Sequence, residues 1–165
     1  MQKMILSAFT LFLLFITQII PLAQTQIHAG QPGGENDGSS VRYQYLFDNE
    51  GFTTPFQQVE FDGGGKGEFR FKRKESEEIV NKVEVSASVL SQLQLLFDEI
   101  NFLSSNEEYQ HKKDFSLLGK ITITLARGGK ERTVSFNYSD NQSINKITEI
   151  FRNIVTQETR VFEIE

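Results

Sequence analysis

The chain has 165 residues, no cysteine, fifteen phenylalanines and a formal net charge of −5. The absence of thiols excludes disulfides, thiol catalysis and cysteine metal sites. Its basic residues are scattered, apart from Lys72-Arg73-Lys74, and that triplet runs straight into Glu75, Glu77 and Glu78. Because nucleic-acid binding needs a coherent basic face, we expect no nucleic-acid partner.

The N-terminal leader has the pattern of an export signal. Residues 1–3 are polar with one positive charge, residues 4–20 are almost wholly apolar, and Pro21-Leu22-Ala23 follows. This order predicts a secretory signal peptide over residues 1–23, cleaved after Ala23, and export to the periplasm or the extracellular space. Cleavage at Ala29 and retention of the leader as a membrane anchor are the alternatives. After cleavage we expect no membrane-spanning segment.

Residues 24–40 are predicted to form a flexible linker. The stretch is rich in Gly, Gln, Ser and Asn, and it offers almost no apolar surface to bury. We therefore expect a single folded domain over residues 41–165. The phenylalanines supply much of its core, since each aromatic ring can bury on the order of 150–250 Å².

The first half of this domain alternates with a period of two, which is typical of half-buried strands. Val41–Phe47 predicts a first strand. A second strand carries Val59 and Phe61 inward, and a glycine-rich turn leads to a third strand that carries Phe69 and Phe71. Ile79–Val85 predicts a fourth strand.

The period then changes to 3.6 residues, which predicts an amphipathic helix. Ser86 is a good N-cap for it, because a serine hydroxyl can accept a hydrogen bond from a first-turn amide. Leu93, Phe97 and Ile100 fall on its apolar stripe. Ser104–Leu118 has weak periodicity and mixed charge, so we predict a loop that can contain a helical turn.

Two further strands flank a glycine pair, and a second helix follows. Lys120–Leu125 and Arg132–Tyr138 alternate around Gly128-Gly129, a strong hairpin signal because glycine readily adopts positive φ. Asp140 or Ser139 is the expected cap of the second helix, and Val161–Ile164 is a candidate last strand. The order predicts an α+β fold, with a mostly antiparallel sheet of six or seven strands and two amphipathic helices packed on one face.

The same order of elements resembles small secreted bacterial domains of unknown function. The shared pattern is a Phe/Tyr-rich first strand, a serine-capped leucine helix ending in Ile100-Asn101-Phe102, a Gly-Gly hairpin and a terminal helix. The resemblance covers Val41–Ile164 at the level of pattern. It implies a bacterial envelope setting and carries over no site residue.

Potential metal ligands gather around one of the two histidines. On a helix, Glu108, His111 and Asp114 would share one face, and Glu108-x-x-His111 is a unit found in di-iron bundles. Those bundles need a second such unit, which this sequence lacks, and Lys112 and Lys113 would oppose a nearby cation. We therefore expect a solvated charged loop, no catalytic residues, no cofactor and no metal, with these three residues as weak metal candidates.

Aromatic residues in two connections are the candidate binding residues. Phe52 and Phe56 flank Thr53-Thr54-Pro55, and Tyr109 and Phe115 lie in the long loop. Loops on a rigid sheet scaffold commonly carry recognition residues, and these four side chains would form a patch if they met at one edge. The alternative is that they pin the loops to the core.

We expect a non-enzymatic binding or protein-interaction module whose partner is an envelope protein or a small ligand. The alternative is a small hydrolase or metal-dependent enzyme centred on His111. A third possibility is a structural partner subunit that pairs through an exposed edge strand.

Overall fold

The computed structural model describes residues 40–164, and the side chains through residue 160. The predicted signal peptide and all but the last residue of the predicted linker lie outside the described residues. The described part contains six strands, two helices and one short 3-10 turn at Ser116–Leu118. The strands are β1 (Arg42–Asp48), β2 (Phe56–Asp62), β3 (Lys66–Lys72), β4 (Glu78–Glu84), β5 (Lys120–Arg127) and β6 (Lys130–Phe136). The helices are α1 (Ala87–Glu99) and α2 (Gln142–Ile164).

The six strands form one antiparallel sheet in the order β4-β3-β2-β1-β5-β6. This confirms the α+β class and the predicted sheet. The seventh-strand alternative is wrong, because residues 161–164 continue α2. A four-residue segment with one polar position fits a strand and a helix turn about equally well, and here the helix extends to include it.

The first strand lies at the centre of the sheet and carries the core. Tyr45 of β1 pairs with Val59 of β2 on one side and with Ile123 of β5 on the other, and all three side chains are fully buried. Complete burial of a large apolar side chain stabilises a fold by about 1.5–3 kcal/mol. The alternating pattern of β1 therefore specifies its register, since a one-residue slip would expose the buried set.

Both helices contact this layer of buried side chains through aromatic rings. The Phe97 ring of α1 lies 5.9 Å from the Tyr43 ring. The Phe151 ring of α2 stacks on the Tyr45 ring at 5.4 Å and lies 5.9 Å from the Phe61 ring. The helices also bond each other, because the Ser143 hydroxyl donates to a Glu99 carboxylate oxygen at 2.8 Å.

Residues that alternate with the core positions give the other side of the sheet a polar character. The Thr124 and Thr133 hydroxyls bond across β5 and β6 at 2.8 Å, and Thr122 bonds Ser135 at the same distance. Charged and polar side chains continue this surface across β1 and β2, where the Gln44 amide donates to a Glu60 carboxylate oxygen at 2.9 Å. Such cross-strand pairs support the sheet modestly, by about 0.2–1 kcal/mol each.

Turn and cap residues set the ends of the elements. Gly67 pairs with Phe61, and a Cβ at Gly67 would lie 1.8 Å from the Glu60 carbonyl oxygen, so only glycine fits there. The Ser86 hydroxyl caps α1 by accepting the Val89 N–H, as predicted.

The predicted cap of α2 is wrong. The Asn141 side-chain oxygen accepts the Ile144 N–H at 3.0 Å, so Asn141 occupies the position assigned to Asp140 or Ser139. The Ser139 hydroxyl oxygen instead accepts the Asn141 N–H at 3.2 Å, just before the helix begins. Three consecutive residues that can all cap a helix leave the sequence unable to select among them.

Candidate functional site

Asn49 organises the connection between β1 and β2. Its backbone N–H donates to the Pro55 carbonyl at 2.8 Å, and its side-chain oxygen accepts the Gly51 N–H at 2.9 Å. Its side-chain amide donates to the Leu117 carbonyl at 3.1 Å, which fastens the connection to the segment before β5. We call residues 49–55 the Asn49 loop. Short Asn-centred turns of this kind fix the backbone locally.

The Asn49 loop presents Phe52 to solvent. The Phe52 side chain is 47% exposed, and its ring rests against the Phe47 ring at 5.6 Å. Its N–H donates to the Asn49 carbonyl at 3.0 Å, and the Thr53 carbonyl accepts the Lys74 N–H at 3.0 Å. The position of this aromatic side chain is therefore set by backbone hydrogen bonds and one ring contact, while much of its surface stays in water.

An open groove of about 1300 Å³ lies between the Asn49 loop and α2. Large side chains of the sheet contribute its apolar surface: Tyr45, Phe47, Ile121 and Phe136. Polar and charged side chains of α2 also line it: Asn145, Thr148, Glu149, Arg152 and Arg160. Leu118 and Tyr138, which are 50% and 42% exposed, complete the lining beside the loop.

The electrostatics of the groove favour an anionic or carbonyl-rich ligand. Glu149 is the one carboxylate among the lining residues, against the guanidinium groups of Arg152 and Arg160. Burial raises the pKa of the Tyr45 phenol above its ordinary value, opposed in part by a hydrogen bond and charge interaction with Arg152. The groove therefore combines an uncharged aromatic surface with cationic donors on α2.

Three rings form a cluster at the edge of the groove. The Phe115 ring lies 4.7 Å from the Tyr138 ring, and the His111 ring meets both edge-on at 5.2 and 5.5 Å. The backbone supports the cluster, because the His111 N–H donates to the Tyr138 carbonyl at 2.8 Å. We call His111, Phe115 and Tyr138 the ring cluster. Tyr138 belongs both to the cluster and to the groove.

Both ring nitrogens of His111 are engaged. Its Nδ1 accepts the Lys113 N–H at 2.9 Å, so Nδ1 carries no proton in this arrangement. Its Nε2 lies 3.1 Å from an Asp140 carboxylate oxygen, which accepts the remaining ring proton. With one nitrogen accepting and the other donating, the imidazole has no free lone pair for a metal ion or for general-base catalysis. This pairing gives His111 a local structural role.

The structure separates the three weak metal candidates. The segment around Glu108, His111 and Asp114 is irregular, so the helical spacing that would align them is not formed. Asp114 accepts the Ser116 N–H at 2.8 Å, and this bond holds the pKa of its carboxyl below its usual value. Within residues 40–164, no group of three His, Asp or Glu side chains is arranged to hold a metal ion.

The four predicted binding residues take different environments. Phe52 lies at the groove, Phe115 belongs to the ring cluster, and Phe56 is half-buried at the start of β2. Tyr109 is buried, with its ring stacked on Phe102 at 6.3 Å. No ring contact between described residues joins two of these four side chains.

Arg132 explains why Tyr109 is buried. Its guanidinium donates to the Phe102 and Glu107 carbonyls, each at 2.6 Å, and lies over the Phe102 and Tyr109 rings at 5.0 and 5.6 Å. This one side chain, projecting from β6, fastens the start of the long loop to the sheet. Tyr109 is therefore a plug that pins the loop, which was the alternative interpretation of the aromatic residues.

Three residues that shape the groove have little signal in the sequence. Asn49 lies in a predicted turn, but its bond to Leu117 spans 68 residues of chain. Tyr138 continues the inward alternation of β6, yet the strand ends at Phe136 and leaves Tyr138 partly exposed. Arg152 lies on the polar side of a predicted amphipathic helix, where arginine is ordinary.

Comparison with known proteins adds no assignment: no family model matches the chain, and no curated protein matches it. Neither helix of the described region is both long and apolar enough to cross a bilayer.

Proposed function

We propose that this protein is an exported, non-enzymatic interaction module that binds an extended segment of a partner polypeptide in the groove between the Asn49 loop and α2. The observation that carries the proposal is the exposed Phe52 ring on a loop fixed by its own hydrogen bonds. An aromatic side chain that is already positioned loses little conformational freedom when a partner covers it. Binding surfaces commonly have such anchors.

The size and openness of the groove favour a polypeptide segment over an enclosed small molecule. Its volume of about 1300 Å³ exceeds the range of roughly 300–1000 Å³ typical of small-molecule pockets. Its lining places guanidinium and amide donors of α2 beside aromatic surface, and an extended peptide offers carbonyls and alternating side chains to such a wall. Arg152 and Arg160 favour a partner segment that carries acidic side chains.

The leader supports a site of action in the bacterial envelope or outside the cell. Its charged start, apolar stretch and small residue at position 23 are the elements of a secretory signal. An enzyme centred on His111 has no comparable support, because Lys113 and Asp140 occupy both ring nitrogens.

Site-specific photo-crosslinking tests the proposal. The full chain, expressed in its host, carries p-benzoylphenylalanine in place of Phe52 or, as a matched control, in place of Leu95. Leu95 is 70% exposed on α1 and does not line the groove. We expect a discrete protein adduct from position 52 and none from position 95.

An electrostatic variant completes the test. Arg152→Gln should reduce the adduct yield several-fold, whereas Arg70→Gln on the polar side of the sheet should leave it unchanged. Thermal melts of both variants control for folding. Identical adducts from positions 52 and 95, or no adduct from position 52, would contradict a protein-binding groove, and a small-molecule adduct would assign the groove to a different ligand class.

A further inference from the structure

The outer edge of β4 is one end of the sheet, and no strand among residues 40–164 pairs with it. On its inner edge β4 pairs with β3 over its whole length, from Glu78 opposite Lys72 to Glu84 opposite Lys66. A free edge carries alternating N–H and C=O groups that can bond another strand. Seven residues is an ordinary length for a paired strand.

The side chains on the polar side of β4 form a short pattern of charge and apolar surface. Glu78, Val80 and Lys82 alternate with the residues that face the core, and all three are exposed. Val80 is 49% exposed, so part of its apolar surface lies in water at the sheet edge. An acidic, an apolar and a basic side chain therefore follow one another along this side of the strand, two residues apart.

We propose that two copies of this chain associate through β4, pairing antiparallel about a two-fold axis at Val80 to form a continuous twelve-stranded sheet. In this register the Glu78 of each copy lies opposite the Lys82 of the other copy, and the two Val80 side chains meet at the axis. A two-fold axis makes such an interface self-complementary and closed. Opposite charges and apolar side chains facing one another across a strand pair are the contacts that stabilise such pairing.

Charges in β3 favour the same register. Within one chain Lys72 lies opposite Glu78, and Glu68 lies opposite Lys82. Across the joined edges the row would run Lys72 and Glu78 of one copy, then Lys82 and Glu68 of the other, with the sign alternating at every step. Glu78 and Lys82, the two middle charges of the row, would each have an opposite charge on both sides.

Neighbouring registers lose this complementarity. Pairing about Asn81 would place Glu78 opposite Glu84 of the other copy. Pairing about Lys82 would bring two lysines together and set Val80 against Glu84. Like charges directly opposite one another destabilise strand pairing, so the axis at Val80 is favoured over the axes at Asn81 and Lys82.

Because the chain has no native cysteine, engineered thiols give a clean test of this register. The full chain, expressed with its own leader and purified after export, carries either Val80→Cys or Lys82→Cys and is exposed to oxidised glutathione. At the axis the paired Cβ atoms would be about 4.5–5.5 Å apart, within reach of a disulfide. At position 82 the two thiols would be four residues out of register, about 13 Å apart along the strands.

We expect Val80→Cys to form a covalent dimer rapidly and Lys82→Cys to form little. Equal crosslinking of the two variants, or none in Val80→Cys, would overturn the proposal. Both positions are exposed, and thermal melts confirm folding of each variant.

Charge reversal gives an independent readout without cysteine. Lys82→Glu or Glu78→Lys alone should raise the dimer dissociation constant, measured by light scattering or sedimentation, at least about tenfold. The double variant Glu78→Lys/Lys82→Glu restores the two inter-copy pairs but sets like charges opposite Lys72 and Glu68 within each chain, so it should associate more tightly than either single variant without reaching the native constant. A native chain that stays monomeric, or single reversals without effect, would contradict pairing through β4.

Discussion

At the residue scale, the contacts of one arginine show how a single side chain shapes this molecule. Arg132 bonds two backbone carbonyls and covers two aromatic rings, so one side chain supplies charge, hydrogen bonds and packing together. Lysine could not replace it, because an ammonium group lacks the planar fork that reaches two acceptors. The sequence shows Arg132 only as an exposed-looking residue of a hairpin strand.

Replacing Arg132 by methionine should lower the free energy of unfolding by about 2–4 kcal/mol. Each lost hydrogen bond to a charged donor costs about 1.5–3 kcal/mol, and methionine recovers part of the packing. Urea denaturation measures the change. The control is Arg70→Met, which removes only exposed ion pairs to Glu68 and Glu78 and should change the free energy by at most about 1 kcal/mol. Equal effects of the two substitutions would contradict an anchoring role for Arg132.

Because several tyrosines are buried, the stability of the fold should decrease at alkaline pH. Burial raises the pKa of Tyr43, Tyr45 and Tyr109 above the ordinary value of about 10. The folded state therefore retains these phenolic protons at a pH where the unfolded chain has begun to lose them. This contribution to stability is fully present below about pH 10 and is lost as the pH rises through the folded pKa values.

We expect the free energy of unfolding to fall steadily above about pH 10, and to fall less steeply in Tyr45→Phe than in the native chain. Urea melts at a series of pH values measure both slopes, with pH 8 as the common baseline. Parallel slopes for the two proteins would show that Tyr45 ionises no differently in the folded and unfolded states.

At the element scale, hydrophobic period predicts most of the fold. The period of two over β1 and β5 and the period of 3.6 over α1 were sufficient, because each element buries one consistent set of side chains. The period does not predict the two ends of α2. Its start lies beside three consecutive residues that can each cap a helix, of which Asp140 or Ser139 was predicted, and its end includes a short segment whose period is ambiguous.

The observed cap of α2 yields a test at this scale. Asn141→Ala removes the acceptor of the Ile144 N–H and also the 3.1 Å bond from the Asn141 amide to Glu107. We expect a loss of about 1–2 kcal/mol in the free energy of unfolding. Asn153→Ala, on an exposed position within the same helix, should be neutral or slightly stabilising, since alanine has the higher helix propensity. If Asn141→Ala left the free energy of unfolding unchanged, a neighbouring residue would be the cap of α2 instead.

At the scale of the whole molecule, the groove was not predictable from the sequence. Its lining comes from β1, the Asn49 loop, Tyr138 and α2, which lie far apart in the chain and meet only because β1 and β5 are neighbours in the sheet. The sequence did single out Phe52 and Phe115 as loop aromatics. It could not show that Tyr109 would be drawn into the core, since this depends on Arg132 reaching across from β6.

The groove and the β4 edge lie toward opposite ends of the sheet. The groove takes its apolar surface from β1, β5 and β6, whereas β4 is the outermost strand on the other side. Pairing through β4 would therefore leave two grooves open in one assembly. Two linked sites can bind a repeated or clustered partner far more tightly than one site alone.

The most direct test of the central claim is a hydrogen-exchange footprint of the captured partner on this protein. If the groove is the binding site, amides of the Asn49 loop and of the segment around Tyr138 should exchange several-fold more slowly in the complex, while those of β4 and the exposed side of α1 keep their rates. Slowed exchange confined to β4, or to the exposed side of α1, with the Asn49 loop unchanged, would contradict the account.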